Sequence, residues 1–190
     1  MARLPLLDAN TVDDPAIVAI FDQARAMGLG KFIHQLQALA HHPALLKAVF
    51  GLLRAYYEDS VVERKYLEMA ILVVSNHNRC RYCVVHHTPS ALTAGLSAEQ
   101  VEAINAGNWA ESAAFDEAER AVLAFADQAS QRGGRVDESL YATLRTIFSE
   151  QQMVELAVRT AMCEFFNRFN EIFHLEIEPE AQALYRQAAQ

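Results

Sequence analysis

Glu68-Met-Ala-Ile-Leu-Val-Val-Ser-Asn-His-Asn-Arg-Cys-Arg-Tyr-Cys-Val-Val-His-His87 holds two of the chain's three cysteines and three of its seven histidines. It also places one carboxylate, Glu68, in an otherwise apolar run. Cys80 and Cys83 form a C-x-x-C pair, and His87 follows one helical turn after Cys83. On a helix these three fall at i, i+3 and i+7 and share a face. A thiol pair is thereby set beside an imidazole able to help ionise it.

The elements around this stretch read as helices. Ser75-Asn76-His77-Asn78 is expected to break one helix, because these side chains compete for backbone hydrogen bonds. The preceding helix would open at a capping box of Ser60 with Glu63 and turn Leu67, Ala70, Ile71 and Val74 inward. The following one would start at Asn78 or Arg79, place Cys80 in its first turn, and stop at Gly95. A first-turn position favours a thiolate through the helix dipole and unpaired N–H groups. Upstream, Asp14-Pro15 starts a helix that ends at Gly28, and a second covers about Lys31 to Ala40. Pro43 opens a third, to about Tyr57, with Leu45, Leu46, Val49, Leu52 and Leu53 as its buried stripe. Downstream, three more capping boxes stand at Ser97/Gln100, Asp116/Glu119 and Ser149/Gln152. Gly133-Gly134 marks a loop, Asp137 caps a helix to about Phe148, and a long helix covers about Glu150 to Phe173. Met153, Leu156, Ala157, Thr160 and Ala161 share one of its faces. No period-2 strand pattern competes, so the class is all-α, with roughly eight helices and a central hairpin carrying the C-x-x-C.

The chain has 190 residues, 52% of them apolar, enough for one domain with a sizeable core. A formal charge of −8 argues against nucleic acid or an anionic membrane as partner. The N-terminus has no extended apolar region of the signal-peptide kind, and no apolar run approaches a membrane span. Three cysteines without an export signal suggest a cytoplasmic protein, where C-x-x-C is more often redox-active or metal-binding than a staple.

The natural chemistry of such a site is attack on a weak O–O or S–S bond. The Cys83 thiolate would displace alkoxide from a hydroperoxide and become a sulfenic acid, and Cys80 would condense with it to a disulfide. Glu68, folded back by the hairpin, would orient His87 or take its proton. Other readings stand beside this one. Zinc would take Cys80, Cys83 and His87 with Glu68 or His86, but no second ligand pair is present. The two cysteines could be small buried hydrophobes. Covalent haem would need histidine where Val84 stands, and a thioredoxin-like site would need a βαβ context. His86 points about 100° from His87 and is expected to be peripheral. His77 reads as a turn residue, Cys163 as core, Phe165, Phe166 and Phe169 as packing or an oligomer face, and Asn167-Arg168 as a contact to a neighbouring helix or subunit.

Glu68, eleven residues, Cys80-x-x-Cys83, three residues, His87 resembles the pattern of AhpD-like alkylhydroperoxidases, in the carboxymuconolactone decarboxylase superfamily. The resemblance covers residues 43–123 best, and the first forty residues add little. It implies one AhpD-like helical domain over residues 1–190, assembled as a trimer or a hexamer. It further implies Cys83 as peroxidatic cysteine, Cys80 as resolving partner, Glu68 as general base and His87 as relay, with no metal or organic cofactor. Small-molecule hydroperoxides would be substrates, and a thiol reductant, such as a lipoylated protein with an adaptor, would restore the pair. Tyr82 departs from the peroxidase type, which has a second histidine just before the nucleophile. A general thiol–disulfide oxidoreductase, a decarboxylase-like enzyme and a non-enzymatic zinc or interaction module are the alternatives.

Overall fold

In the computed structural model, residues 2–131 and 134–188 are described. Gly133 of the expected Gly133-Gly134 loop lies outside them; Gly134 is a turn residue with φ +80°. Among the described residues there are ten α-helices, one 3-10 turn and no strand, two helices more than the pattern suggested. They are α1 (Pro15–Ala26), α2 (Ile33–Leu39), α3 (Pro43–Glu58), α4 (Arg64–His77) and α5 (Arg81–Thr93). Then follow α6 (Ala98–Ala106), α7 (Glu117–Ser130), α8 (Glu138–Ile147), α9 (Glu150–Phe173) and α10 (Pro179–Ala188), with the 3-10 turn at Leu29–Phe32.

Helix α4 is the axis. Leu67 through Ser75 are buried on every side, because α5, α7 and α9 all pack against it. It does not start at the Ser60/Glu63 box. Glu63 is the N-cap without a side-chain capping bond, and Ser60 instead donates its hydroxyl to Glu155 of α9. Glu155 also accepts the Val61 and Val62 N–H groups, so the loop before α4 is fastened to α9 rather than capped locally. The three downstream boxes form as expected.

Helices α4 and α5 meet in a tight turn. Asn78 caps α4, and Arg79 takes the left-handed conformation at φ +53°. Cys80 is the N-cap of α5 rather than part of its first turn, with its N–H donating to Ser75 O at 2.9 Å. The break therefore spans three residues and shifts the helix start past Asn78 and Arg79.

Among the described residues three apolar clusters make the body. One joins α4, α6, α7, α8 and α9; a second joins α1, α2 and α3 to Met162 and Phe166 of α9; the smallest gathers Ala38, Cys80, Tyr82, Cys83 and Leu175. On α3 the inner residues are Leu46, Phe50 and Leu53, while Leu45 and Leu52 are 52% and 41% exposed. Adjacent helical residues diverge by about 100°, so the four leucines and the valine cannot all face inward. Likewise Met153, Leu156 and Thr160 of α9 are buried, but Ala157 and Ala161 face outward. The last helix, α10, packs on α5. No helix of the described residues is long and apolar enough to cross a membrane.

Candidate active site

The α4–α5 hairpin brings Glu68 back over the C-x-x-C helix. His87 Nδ1–H donates to Glu68 Oε2 at 2.7 Å, and Glu68 Oε1 lies 3.4 Å from the Arg64 guanidinium. Glu68 is 3% exposed, yet it stays a carboxylate. Burial opposes its charge, but the His87 interaction, with Arg159 and Arg64 beyond it, outweighs burial and holds it below the usual carboxylate range. Burial lowers His87 more than Glu68 raises it, so the imidazole is neutral at neutral pH. Because Nδ1 carries the proton toward Glu68, Nε2 keeps a free lone pair. That is the state a general base requires.

Cys83 and His87 line the same cavity, of about 40 Å³, together with Leu29, Phe32, Leu36, Leu53 and Phe166. Among the described residues no hydrogen bond joins either thiol to His87 or Glu68. Cys80 lies behind, fully buried, and does not line the cavity. Asn170 of α9 donates its Nδ2–H to Cys83 Sγ at 3.3 Å and lies 3.8 Å from Cys80 Sγ. Gln35 Nε2–H in turn donates to Asn170 Oδ1 at 3.0 Å and fixes which end of the amide faces the sulfurs.

The two thiols titrate as one unit. A hydrogen bond from Cys83 brings Cys80 down to about 7 despite burial, with Asn170 assisting. The second proton is held well above the ordinary range by that same bond and by burial. The pair thus carries one negative charge near neutrality, shared through a single proton between two sulfurs. Of the two, Cys83 lines the cavity and Cys80 does not.

Several functional residues were not singled out in the sequence. Asn170 and Gln35 are the clearest. The signal for Asn170 was the run Cys163, Asn167, Asn170, polar groups at i, i+4 and i+7 inside a buried stripe. Asn167 accepts from Asn78 Nδ2–H at 3.0 Å, as expected of a contact to a neighbouring helix. Cys163 is buried as expected, but it also lines the cavity, its Sγ 3.4 Å from Ser75 Oγ, and burial pushes its thiol up to about 12. Among the described residues no three His, Cys, Asp or Glu side chains converge as a metal site.

His86 is not peripheral. It is buried, stacked between Phe32 and Tyr82, with Nδ1–H donating to Tyr82 O at 2.6 Å and Nε2 2.8 Å from Glu178 Oε2. Tyr82 donates its hydroxyl to Glu178 Oε1 at 2.8 Å. Burial and the Glu178 charge raise this phenol well above its ordinary value. Tyr82 therefore fastens the segment before α10 to α5. It does not stand in for a relay histidine.

Residues 43–128 match the carboxymuconolactone decarboxylase family. The alkylhydroperoxidase AhpD core of a peroxidase-related protein from Ralstonia eutropha JMP134 superposes with a TM-score of 0.81 over 97% of this chain and 96% of that one, at 21% identity. The chain has the AhpD-like fold, and residues 43–128 are similar to the carboxymuconolactone decarboxylase family. The debrominase Bmp8 aligns at 26% identity and a TM-score of 0.75, covering 96% of this chain and 95% of that one. A cysteine-to-alanine form of Bmp8, in complex with 2,3,4-tribromopyrrole, gives 0.79 at 23% identity over 99% of this chain and all of that one. The uncharacterized protein YdfG of Bacillus subtilis (strain 168) is 26% identical over 116 residues, 60% of this chain and 78% of its own length. The superfamily match ends well before α9 and α10, so Asn170, Arg159 and Glu178 lie outside it.

Proposed function

We propose that this chain is a thiol-dependent peroxidase acting on organic hydroperoxides or hydrogen peroxide through Cys83, Cys80, His87 and Glu68. The observation that carries the reading is one cavity lined by both Cys83 and a neutral, Glu68-oriented His87. His87 Nε2 takes the Cys83 proton, and the thiolate attacks the outer peroxide oxygen. The O–O bond breaks, sulfur gains the oxygen as Cys83–SOH, and His87 returns its proton to the leaving alkoxide as ROH. The Cys80 thiolate then displaces hydroxide from the sulfenic sulfur, the hydroxide takes a proton from solvent and leaves as water, and the Cys80–Cys83 disulfide remains. Sulfur has lost two electrons and the O–O bond has gained them. A dithiol reductant, free or carried on a protein as a lipoyl group, restores the pair by exchange.

The test is thiol titration of the reduced chain after one equivalent of cumene hydroperoxide, beside Cys83→Ser. Rapid loss of two thiols in wild type alone supports the reading. No loss over hours in a folded chain refutes it.

The Bmp8 likeness favours a second reading, attack of the same thiolate on a carbon-bound bromine. Cys83 would take bromine as S–Br, His87 would supply a proton to carbon, and Cys80 would displace bromide to give the same disulfide. Bromide release from a bromopyrrole, with no peroxide consumption, selects it. In either case the chain works as one domain in the cytoplasm and self-associates. Exposed Val154, Val158 and Phe165 on α9 and Leu45 and Leu52 on α3 supply apolar surface for this.

A further inference from the structure

A second cavity, of about 190 Å³, shares a wall with the first. Tyr57, Ile71 and Arg159 line both. The second is more polar: Tyr56, Ser60, Arg64 and Glu68 complete much of its lining. The Glu68–His87 pair therefore bridges the two spaces, with His87 on the apolar cavity and Glu68 on the polar one.

Arg159 stands out among the charges here. It is half-buried on α9, with its guanidinium 5.2 Å from the centre of the Tyr56 ring. Among the described residues it makes no hydrogen bond and no ion pair. Both nearby carboxylates are engaged elsewhere. Glu155, one turn back on α9, binds Ser60 and the Val61 and Val62 N–H groups. Glu68 binds His87 and Arg64. A guanidinium carries five donors and no acceptor, so this one presents its fork without an acceptor. A second observation points the same way: Tyr56 lines the polar cavity, and its buried hydroxyl has no partner. Buried polar groups are almost always paired, and an orphan in a cavity wall marks where an acceptor belongs.

We propose that Arg159 and Tyr56 form an anion anchor between the two cavities, and that the substrate is an apolar molecule carrying a single carboxylate. One guanidinium and one phenol match a monoanion; a phosphate dianion would need a further cation, and Arg64 is engaged by Glu68. The guanidinium fork meets a carboxylate with two parallel hydrogen bonds. From Arg159 the shared wall leads into space bounded by Leu36, Leu53 and Phe166, which suits a hydrocarbon body, and on to Cys83. Combined with the peroxidase reading, on which the reactive end rests, this makes the substrate the hydroperoxide of a carboxylic acid.

The test separates the anchor from the chemistry. Octanoate and 1-octanol are titrated calorimetrically into the reduced chain and into Arg159→Gln and Tyr56→Phe. Octanoate is expected to bind wild type about tenfold or more tighter than Arg159→Gln, with a smaller loss in Tyr56→Phe. The uncharged 1-octanol should bind all three alike. In parallel, kcat/KM is compared for a hydroperoxy fatty acid and its methyl ester. The acid-to-ester ratio should fall about tenfold in Arg159→Gln, whatever that change does to both rates through the charge near Glu68. Arg159-dependent octanoate binding with no hydroperoxide consumed keeps the anchor and refutes the peroxidase reading. Octanoate binding that Arg159→Gln leaves unchanged overturns the anchor, whatever the peroxidase result.

Discussion

Replacing Cys83 with alanine should raise the remaining thiol of the pair far more than removing a neighbour ordinarily does. In the intact pair the hydrogen bond from Cys83 is the largest influence on Cys80 and brings it to about 7. Without that donor, burial is the strongest influence left, and it acts upward. Asn170, 3.8 Å from Cys80 Sγ, is too distant to replace it. Cys80 in Cys83→Ala should therefore titrate above the ordinary thiol value of about 8.5. A rise of at least 1.5 units corresponds to about 2 kcal/mol, and the thiolate fraction at pH 7 falls from about a half to a few per cent. Cys80→Ala should act in the opposite sense on Cys83, whose elevation is caused first by Cys80, bringing it down toward the ordinary range. The assay is thiolate absorbance at 240 nm against pH on reduced protein. Wild type should show one step near 7 and a second far higher. Cys163, at about 12, stays silent throughout the useful range. If Cys83→Ala still titrates near 7, no proton is shared between the sulfurs, and the helix terminus must be lowering Cys80 alone.

Glu68→Gln keeps the shape of the side chain but removes the charge that stabilises a protonated His87. A charge-assisted bond of about 2–3 kcal/mol predicts a loss of about 30- to 150-fold in peroxide kcat/KM, with helicity by circular dichroism unchanged. Glu68 is held below its ordinary value in the folded chain, so its pairing stabilises the fold above that value and is lost as pH falls through the lowered one. The gap in thermal midpoint between wild type and Glu68→Gln should accordingly be full at pH 7 and close as pH drops below about 4.5. Tyr82→Phe should lower stability by about 1.5 kcal/mol in denaturant unfolding, through the lost hydroxyl bond to Glu178, which keeps its bonds to His86 and the His34 N–H, while leaving the pair's first titration step in place. Val158→Glu with Leu52→Glu should shift the mass by light scattering from an oligomer toward a monomer; a monomeric wild type would refute self-association.

The meeting of the four residues proposed to carry the chemistry was legible because they are local. Glu68, Cys80, Cys83 and His87 lie within twenty residues on one hairpin, where helical spacing alone decides which side chains meet. What supports them was not legible, because it arrives from far along the chain. Asn170, Gln35 and Arg159 reach the site only through the packing of α9 and α2. Neither a capping pattern nor a periodicity can express a contact across ninety residues. The Ser60/Glu63 box failed for the same reason: Glu155, on a distant helix, competes for Ser60 and for the loop N–H groups at once. On α3, the apolar residues outnumber those one face can bury, and period alone does not separate Leu46 from Leu45. The first forty residues carry none of the motif, yet Leu29, Phe32, Gln35 and Leu36 line the cavity that faces Cys83.

That division of labour bears on how substrates are chosen. A thiolate, a buried partner thiol and an oriented imidazole make the same demands of any electrophile that accepts two electrons at one atom, whether oxygen or bromine. Nothing in the hairpin itself distinguishes them. The walls do: Leu29, Phe32 and Leu36 come from the N-terminal segments, and Arg159 and Phe166 come from α9. Most of these walls lie outside the stretch that matches the superfamily. Selection can therefore change without disturbing the Glu68–His87 pair or the shared proton of the cysteines. Exchanging Phe32, which stacks on His86 as well as lining the cavity, is the exception, because it couples the wall to the Tyr82–Glu178 anchor of α10.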